Sequence, residues 1–154
     1  MPLNLATSSA LIYQDRVPVE IVVEKGPWAG VGRADLKRRA EAMLACLQLD
    51  KSILSILLTD DESIRILNRE YRRKDKPTDV LAFAMREGEF SSFAGSMLGD
   101  VIISIPTAAK QARAARRPVL AEVTMLLAHG LLHLLGWDHD TAAKDRAMRA
   151  ETDR

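Results

Sequence analysis

All three histidines of the chain lie in one short segment, HGLLHLLGWDH, at positions 129 to 139. His129 and His133 are four residues apart, so on a helix their imidazoles project from one face, roughly 6 Å apart at Cβ. Gly136 permits a sharp turn that would return His139 to the same point as a third nitrogen ligand. Two histidines on an apolar helix are by themselves more often satisfied core residues. The third histidine and the glycine together predict a metal site.

Three imidazoles leave one position open in a tetrahedral site, which is the arrangement of catalytic zinc. One Zn²⁺ ion is therefore the predicted cofactor, and nickel, copper or iron are the other metals that such nitrogens bind. A bound Zn²⁺ lowers the pKa of its water from about 15.7 to near 7. Hydrolysis at such a site needs no side-chain base.

The segment matches the metalloprotease signature HExxHxxGxxH at every defined position except one. Gly130 stands where the signature has the glutamate that deprotonates water and passes its proton to the leaving amine. The pattern is therefore compatible with metal-dependent hydrolysis and poorly compatible with the standard peptidase mechanism. A metallopeptidase-like hydrolase with a base from elsewhere stays open as an alternative.

Imidazoles bound to a metal need hydrogen-bond partners that fix their tautomers. Asp138 is adjacent to His139 in sequence, and its position is equally typical of loop structure and of such a partner. Glu122 lies seven residues before His129, on about the same helical face. For Glu122 a solvated or helix-start position is the favoured interpretation.

Length and composition indicate one domain, residues 1–154, with an ordinary hydrophobic core. The net charge of +1 identifies no partner. Cys46 is the single cysteine, which excludes an internal disulfide and favours a reducing compartment. We expect a cytoplasmic protein with no membrane partner, because no apolar run approaches membrane-spanning length and residues 1–16 do not resemble a signal peptide.

The order of periodic segments predicts an α+β fold: a mixed four- to five-stranded β-sheet packed with helices, with a zincin-like metal-binding helix followed by the Gly136 turn. Strands are predicted at 19–25, 52–59, 80–84 and 98–105. Helices are predicted from Asp35, from the Asp60-Asp61 cap to about Arg72, from Pro106 to about Arg117, from Pro118 to Leu135, and after Asp140.

With these segments in view, HGLLHLLGWDH resembles the hallmark of the YbeY family of endoribonucleases, also called rRNA maturation factors. Two further segments are similar to motifs of that family. They are LNREYRRKDKPTDVLAF at 67–83 and LGDVIIS at 98–104. Their order and spacing agree as well, so the resemblance covers the chain from about residue 50 to 150.

The resemblance implies a metal-dependent ribonuclease that acts on single-stranded RNA. It further implies a role in 3′-end maturation of small-subunit (16S) ribosomal RNA and in ribosome quality control, with the small ribosomal subunit and its assembly factors as partners. The family's zinc ligands correspond to His129, His133 and His139. Its functionally important arginine corresponds to Arg72.

Cleavage of a phosphodiester places extra negative charge on the phosphoryl oxygens, so such a site needs cations besides the metal. Two segments supply them: Arg65, Arg69, Arg72, Arg73, Lys74 and Lys76 in the first, and Lys110, Arg113, Arg116 and Arg117 in the second. Arg65, Arg69 and Arg72 recur at helical spacing and predict a phosphate-tracking stripe, although such a stripe alone is usually a solvated face. Few aromatic residues are present, which favours recognition of the RNA backbone over base stacking.

Three further residues have both a structural and a functional interpretation: Thr78, Asp79 and Asp100. Asp100 follows a glycine at a predicted strand start, where a turn hydrogen bond is at least as expected as chemistry. A different class of function also remains open, a noncatalytic ribosome-assembly factor with a structural metal. Asp138 or Asp140 would then close the fourth position of the site.

Overall fold

A computed structural model describes residues 18–85 and 97–136 of the chain. The elements in these ranges are β1 (Val19–Val23), α1 (Arg33–Cys46), β2 (Ile53–Thr59), α2 (Asp61–Arg72), β3 (Val80–Ala84), β4 (Met97–Ser104), α3 (Ile105–Ala115) and α4 (Val119–Leu134). The predicted α+β class is confirmed, with four strands and four helices in the described part of the chain.

The strands form one mixed sheet in the order β1-β2-β4-β3. β1, β2 and β4 run parallel, and β3 pairs with β4 in the antiparallel direction and lies at one edge. The two central strands are almost entirely buried, which explains why both segments are continuously apolar rather than alternating.

Helices cover both faces of this sheet. The main core lies under α1 and α4, where Leu36 and Leu127 pack with the sheet residues Ile56 and Val101. A smaller cluster lies on the opposite face under α2. α3 connects β4 to α4 and packs mainly against α4. The sheet thus holds α4, the helix with two of the predicted ligands, rigidly against β3 and β4.

Local signals place most of the helix ends correctly. Asp60 caps α2, as predicted, because its carboxylate accepts a hydrogen bond of 2.9 Å from the Ser63 N–H. Gly136 has φ +93°, which confirms the predicted left-handed turn after α4. β1 ends two residues before its predicted limit, at Val23, and Lys25 has φ +62°. The helix predicted after Asp140 lies outside the described residues.

None of the helices in 18–85 and 97–136 has the length and apolar character that crossing a membrane requires.

Candidate active site

His129 and His133 are half-buried residues in the second half of α4. The side of α4 next to α1 is marked by Thr124, whose hydroxyl oxygen lies 3.1 Å from Arg39 Nη1. At about 100° per residue, His129 and His133 lie about 140° and 180° around the helix from Thr124. Both histidines are therefore on the side of α4 turned away from α1. Because α1 packs on β1 and α4 on β3 and β4, that side is the one nearer the β3 edge.

The third predicted ligand, His139, lies outside the described residues, as do Asp138 and Asp140. Within the described ranges no group of three or more His, Cys, Asp or Glu side chains could hold a metal ion. The structure does contain two histidines four residues apart on one helix, a sequence spacing that lets both imidazoles bind one ion. It also contains the start of the Gly136 turn that leads to the third histidine. The donor chemistry of this pair fits zinc.

Gly130, the residue at the position of the peptidase base, faces the sheet. A Cβ built on Gly130 would lie 2.7 Å from Val101 Cγ1, 3.1 Å from Val101 Cγ2 and 3.4 Å from Val80 Cγ2. The 2.7 Å approach requires Val101 or the helix to shift before any side chain fits at this position. Gly130 therefore allows α4 to approach β4 closely, and a glutamate there would oppose this packing.

Arg72, in the last turn of α2, lies against the edge strand β3. Its Nη2 donates a hydrogen bond of 2.8 Å to the Ala82 carbonyl, and its guanidinium carbon is 4.7 Å from the centre of the Phe83 ring. Phe83 also makes an edge-to-face contact with Tyr71, at 5.3 Å between ring centres. The side chain is thus held by one hydrogen bond and one cation–π contact while it remains exposed. No sequence pattern indicated Phe83 as this support.

The Ala82 carbonyl that Arg72 binds belongs to the outer side of β3, the edge strand of the sheet among the described residues. The Asp79 carbonyl accepts a hydrogen bond from the Ser104 N–H, so the odd-numbered residues of β3 direct their backbone groups toward β4. Ala82 directs its own backbone groups outward. Arg72 and the two histidines therefore lie toward the same edge of the sheet, Arg72 on the face under α2 and the histidines on the face under α4.

Arg65, one of the three arginines of the predicted stripe on α2, already has carboxylate partners in the structure. Arg65 pairs with Glu62 and Asp75, and these two carboxylates raise its pKa. Its charge is therefore already balanced, and it is a poor phosphate contact. Arg69 and Arg72 remain exposed on the same helix, as do Arg73, Lys74 and Lys76 in the loop that follows.

Glu122 is buried, so the solvated interpretation of this residue is wrong, although it does lie in the first turn of α4 as the helix-start interpretation requires. Arg117 compensates the buried carboxylate, with Nε at 2.9 Å and Nη2 at 2.7 Å from Glu122 Oε1. Arg117 Nη2 also lies 3.4 Å from the sulfur of Met125. The ion pair thus supplies a counter-charge for the acid that is buried in the first turn of α4.

Asp100 lies inside β4 and not in a turn, so its predicted turn interpretation is wrong. Gly99 takes φ +143° at a bulge where the register with β2 shifts, and a Cβ on Gly99 would lie 2.2 Å from the Phe83 carbonyl oxygen. In the sheet, Asp100 is the partner of Ser55 on β2 and of Phe83 on β3. Its carboxylate is buried, and among the described residues Oδ1 has no hydrogen-bond partner. Burial raises the pKa of Asp100, the nearby Glu20 raises it further, and a hydrogen bond from Ser55 opposes both.

Asp79 has a clear structural task. Its Oδ1 accepts hydrogen bonds from the Val80 N–H at 2.8 Å and from the Thr78 hydroxyl at 3.4 Å. Its Oδ2 accepts one from Gln111 Nε2 at 3.2 Å. Asp79 thus ties the start of β3 to α3, and Thr78 supports it.

A cavity of about 660 Å³ opens between the end of β1 and the start of α1, lined by Trp28, Arg33 and Asp35 among others. None of the predicted site residues lines it. We therefore place the candidate site at the β3 edge beside α4.

Comparison with known proteins assigns the chain to a family. The family model described as Endoribonuclease YbeY matches residues 30–154. The chain belongs to the YbeY family. It is 53% identical over 113 residues to Endoribonuclease YbeY of Anaeromyxobacter dehalogenans, a match that covers 73% of this chain and 57% of that protein. Endoribonuclease YbeY of Geobacter metallireducens is 44% identical over 121 residues, covering 79% of this chain and 81% of that protein.

A solved structure gives independent support for the fold. The solution structure of TM1509 from Thermotoga maritima has a TM-score of 0.57 and 21% sequence identity, and the match covers 88% of this chain and 87% of that one. The fold is thus confirmed by this structure, and the resemblance to the YbeY family is confirmed by the family model and by the relatives, which are named endoribonucleases.

Proposed function

We propose that this protein is a zinc-dependent endoribonuclease that cleaves single-stranded RNA. His129, His133 and His139 hold one Zn²⁺ ion, and Arg72 contacts the scissile phosphate. The observation that carries this proposal is the position of the two described histidines. They lie one turn apart on the side of α4 nearer the β3 edge, where Arg72 is docked.

The ion, when bound, supplies a Lewis acid and a water of lowered pKa. The protein's own side chains then have to bind and orient the phosphate. The guanidinium of Arg72 has five N–H donors, of which the described contacts use one, on Ala82. The others suit the non-bridging oxygens of a phosphodiester, and the guanidinium lies over the Phe83 ring, with 4.7 Å between its carbon and the ring centre.

The biological substrate that we propose is the precursor of small-subunit (16S) ribosomal RNA, at its 3′ end, with a further role in ribosome quality control. The partners would be the small ribosomal subunit and its assembly factors, in the cytoplasm. The support for these finer statements is family membership and the exposed cations beside the site. We further propose that residues 1–154 form one domain.

The metallopeptidase alternative is disfavoured by the packing of Gly130. The Cβ of a peptidase base at this position would collide with Val101. The chain would have to supply that base from a different element, and nothing in the described residues favours one.

The test is metal content and cleavage of a single-stranded RNA, measured on the same preparations of wild type, His133→Ala and Arg72→Ala. We expect about one zinc per chain in wild type and in Arg72→Ala, and much less in His133→Ala. Cleavage should fall by about 10²–10³-fold in Arg72→Ala, the usual cost of losing one donor to a charged transition state. A chelator should abolish cleavage by wild type.

Arg69→Ala is the matched control, since Arg69 is another exposed arginine of the same helix turn. It should retain cleavage within a few-fold. Zinc bound by wild type with RNA left intact would reject the ribonuclease and favour the noncatalytic ribosome-assembly factor with a structural metal.

A further inference from the structure

A group of exposed cations lies on the outer side of α3 and at its end. We call Lys110, Arg113 and Arg116 the α3 basic surface. All three are exposed, and none forms an ion pair with any residue in 18–85 or 97–136. The segment from 105 to 121 contains no acidic residue. By contrast, Arg38 on α1 and Arg65 on α2 are each paired with a carboxylate.

The acids that neighbour α3 in space are already engaged with other groups. Asp61 accepts hydrogen bonds from the hydroxyls of Ser104 and Thr107, the latter at 2.6 Å. Asp79 accepts from Gln111, and Glu122 is buried against Arg117. The fold thus turns these carboxylates inward and leaves the cations of the α3 basic surface with no counter-charge among the described residues.

The α3 basic surface connects to the histidines along one face of α4. Glu122, Met125, His129 and His133 recur at intervals of three and four residues, so they form one stripe on that helix. Arg117 lies over the start of this stripe, in contact with both Glu122 and Met125. Arg116, its neighbour in sequence, belongs to the α3 basic surface. From Glu122 to His129 the stripe is seven residues long, or about 10 Å.

We propose that the α3 basic surface binds the backbone of single-stranded RNA beyond the cleaved bond, with the RNA following this stripe of α4 from the histidines to α3. The inference deepens the proposed function and rests on it. The α3 basic surface contains cations and no aromatic side chain, so it recognises phosphates and not bases. Arg117 contributes little net attraction because the buried Glu122 balances its charge.

The test compares wild type with the triple variant K110Q/R113Q/R116Q. Glutamine removes the charge and keeps the helix propensity of the replaced residues. A variant with three different exposed cations replaced, K25Q/R33Q/K51Q, is the matched control, since it loses the same formal charge and these cations also form no ion pair among the described residues. Cleavage rates are measured on RNAs of about 4 and about 20 nucleotides.

Binding is measured separately, as a function of salt concentration, with a single-stranded DNA of about 20 nucleotides, because a ribonuclease leaves DNA intact.

We expect the triple variant to lose about tenfold or more in kcat/KM on the long RNA and to cleave the short RNA like wild type. The slope of log K against log salt should become shallower by about 2, which is about 0.7 for each of three phosphate contacts. The control should match wild type in all three measurements. Equal losses on short and long RNA, or an unchanged salt slope, would overturn the inference. Absence of cleavage by wild type would instead overturn the proposed function, and the salt slope would still decide whether the α3 basic surface binds the nucleic-acid backbone.

Discussion

Asp100 shows how much one residue can depend on its neighbours in space. In the sequence, Asp100 follows Gly99 at a predicted strand start, a position that is typical of an acid with a turn hydrogen bond. In the structure Gly99 forms a bulge inside the sheet, and Asp100 is consequently held between β2 and β3. The cost of this arrangement is a buried carboxylate oxygen without a hydrogen bond among the described residues.

We predict that Asp100→Asn stabilises the protein at neutral pH. The pKa of Asp100 is raised in the folded state, mainly by burial, so the folded protein favours the protonated acid. The associated stability is complete below the pKa of an unfolded aspartate, near 4, and is lost as pH rises through the folded-state pKa. Asparagine keeps the shape without the charge. Thermal unfolding should show a gain of about 1 kcal/mol at pH 7 that disappears toward pH 4.

Glu70→Gln serves as the control for this measurement, because Glu70 is an exposed carboxylate. Its substitution should change unfolding little at any pH. A lower melting temperature for Asp100→Asn than for wild type at pH 7 would show that the charged form of Asp100 is stabilised by a partner.

At this scale the sequence predicted the residue types of the site better than their surroundings. The spacing of His129 and His133 required only a helix, and the helix is present. The support of Arg72 by Phe83 and the pairing of Glu122 with Arg117 required knowledge of which side chains the tertiary fold brings together. Local periodicity carries no such information.

At the scale of elements, the decisive packing is that of α4 on β4 and β3. Gly130 allows this close approach, and Val101 fills the space that a side chain would need. The positions of the histidines relative to the β3 edge depend on it.

We predict that Gly130→Ala destabilises the protein, by roughly 1–3 kcal/mol for the overpacking less up to about 1 kcal/mol for the better helix propensity of alanine. Chemical denaturation measures the change. The contact with Val101 gives a specific check, since Gly130→Ala should be better tolerated when Val101→Ala is also present. Additive effects of the two substitutions would contradict a direct collision between them.

The element boundaries could be predicted where a local signal exists. Asp60, Pro106 and Gly136 mark helix ends by their own chemistry, and each lies where the sequence indicated. The Gly26-Pro27 pair predicts an end of β1 after Lys25, but the strand ends at Val23 because the chain already turns at Lys25. Strand order was likewise beyond local patterns, since it depends on which segments pair across the sheet.

At the scale of the whole molecule, the proposed zinc ion would join α4 to the chain that follows it. His129 and His133 belong to a helix fixed on the sheet, whereas His139 follows the Gly136 turn. A ligand that binds only the folded state stabilises that state in proportion to the logarithm of its concentration.

We therefore predict that zinc at about one hundred times its dissociation constant stabilises the protein by about 2.7 kcal/mol, and that a chelator removes this gain. His133→Ala should show no such response in thermal unfolding. Arg72→Ala should keep the full response, because Arg72 is assigned to the phosphate and not to the ion. A zinc response retained in His133→Ala would remove that histidine from the ligand set.

The contact of Arg72 with Ala82 has a consequence outside catalysis. β3 is an edge strand, and an uncovered edge with unpaired backbone groups is a template on which a strand of another molecule can add. The Arg72 guanidinium donates a hydrogen bond to the outward carbonyl of Ala82, in the middle of this short strand, and places a positive charge there. The residue proposed to bind RNA therefore also occupies a backbone acceptor of this edge strand, so we expect Arg72→Ala to expose that acceptor to strand addition as well as to weaken phosphate binding.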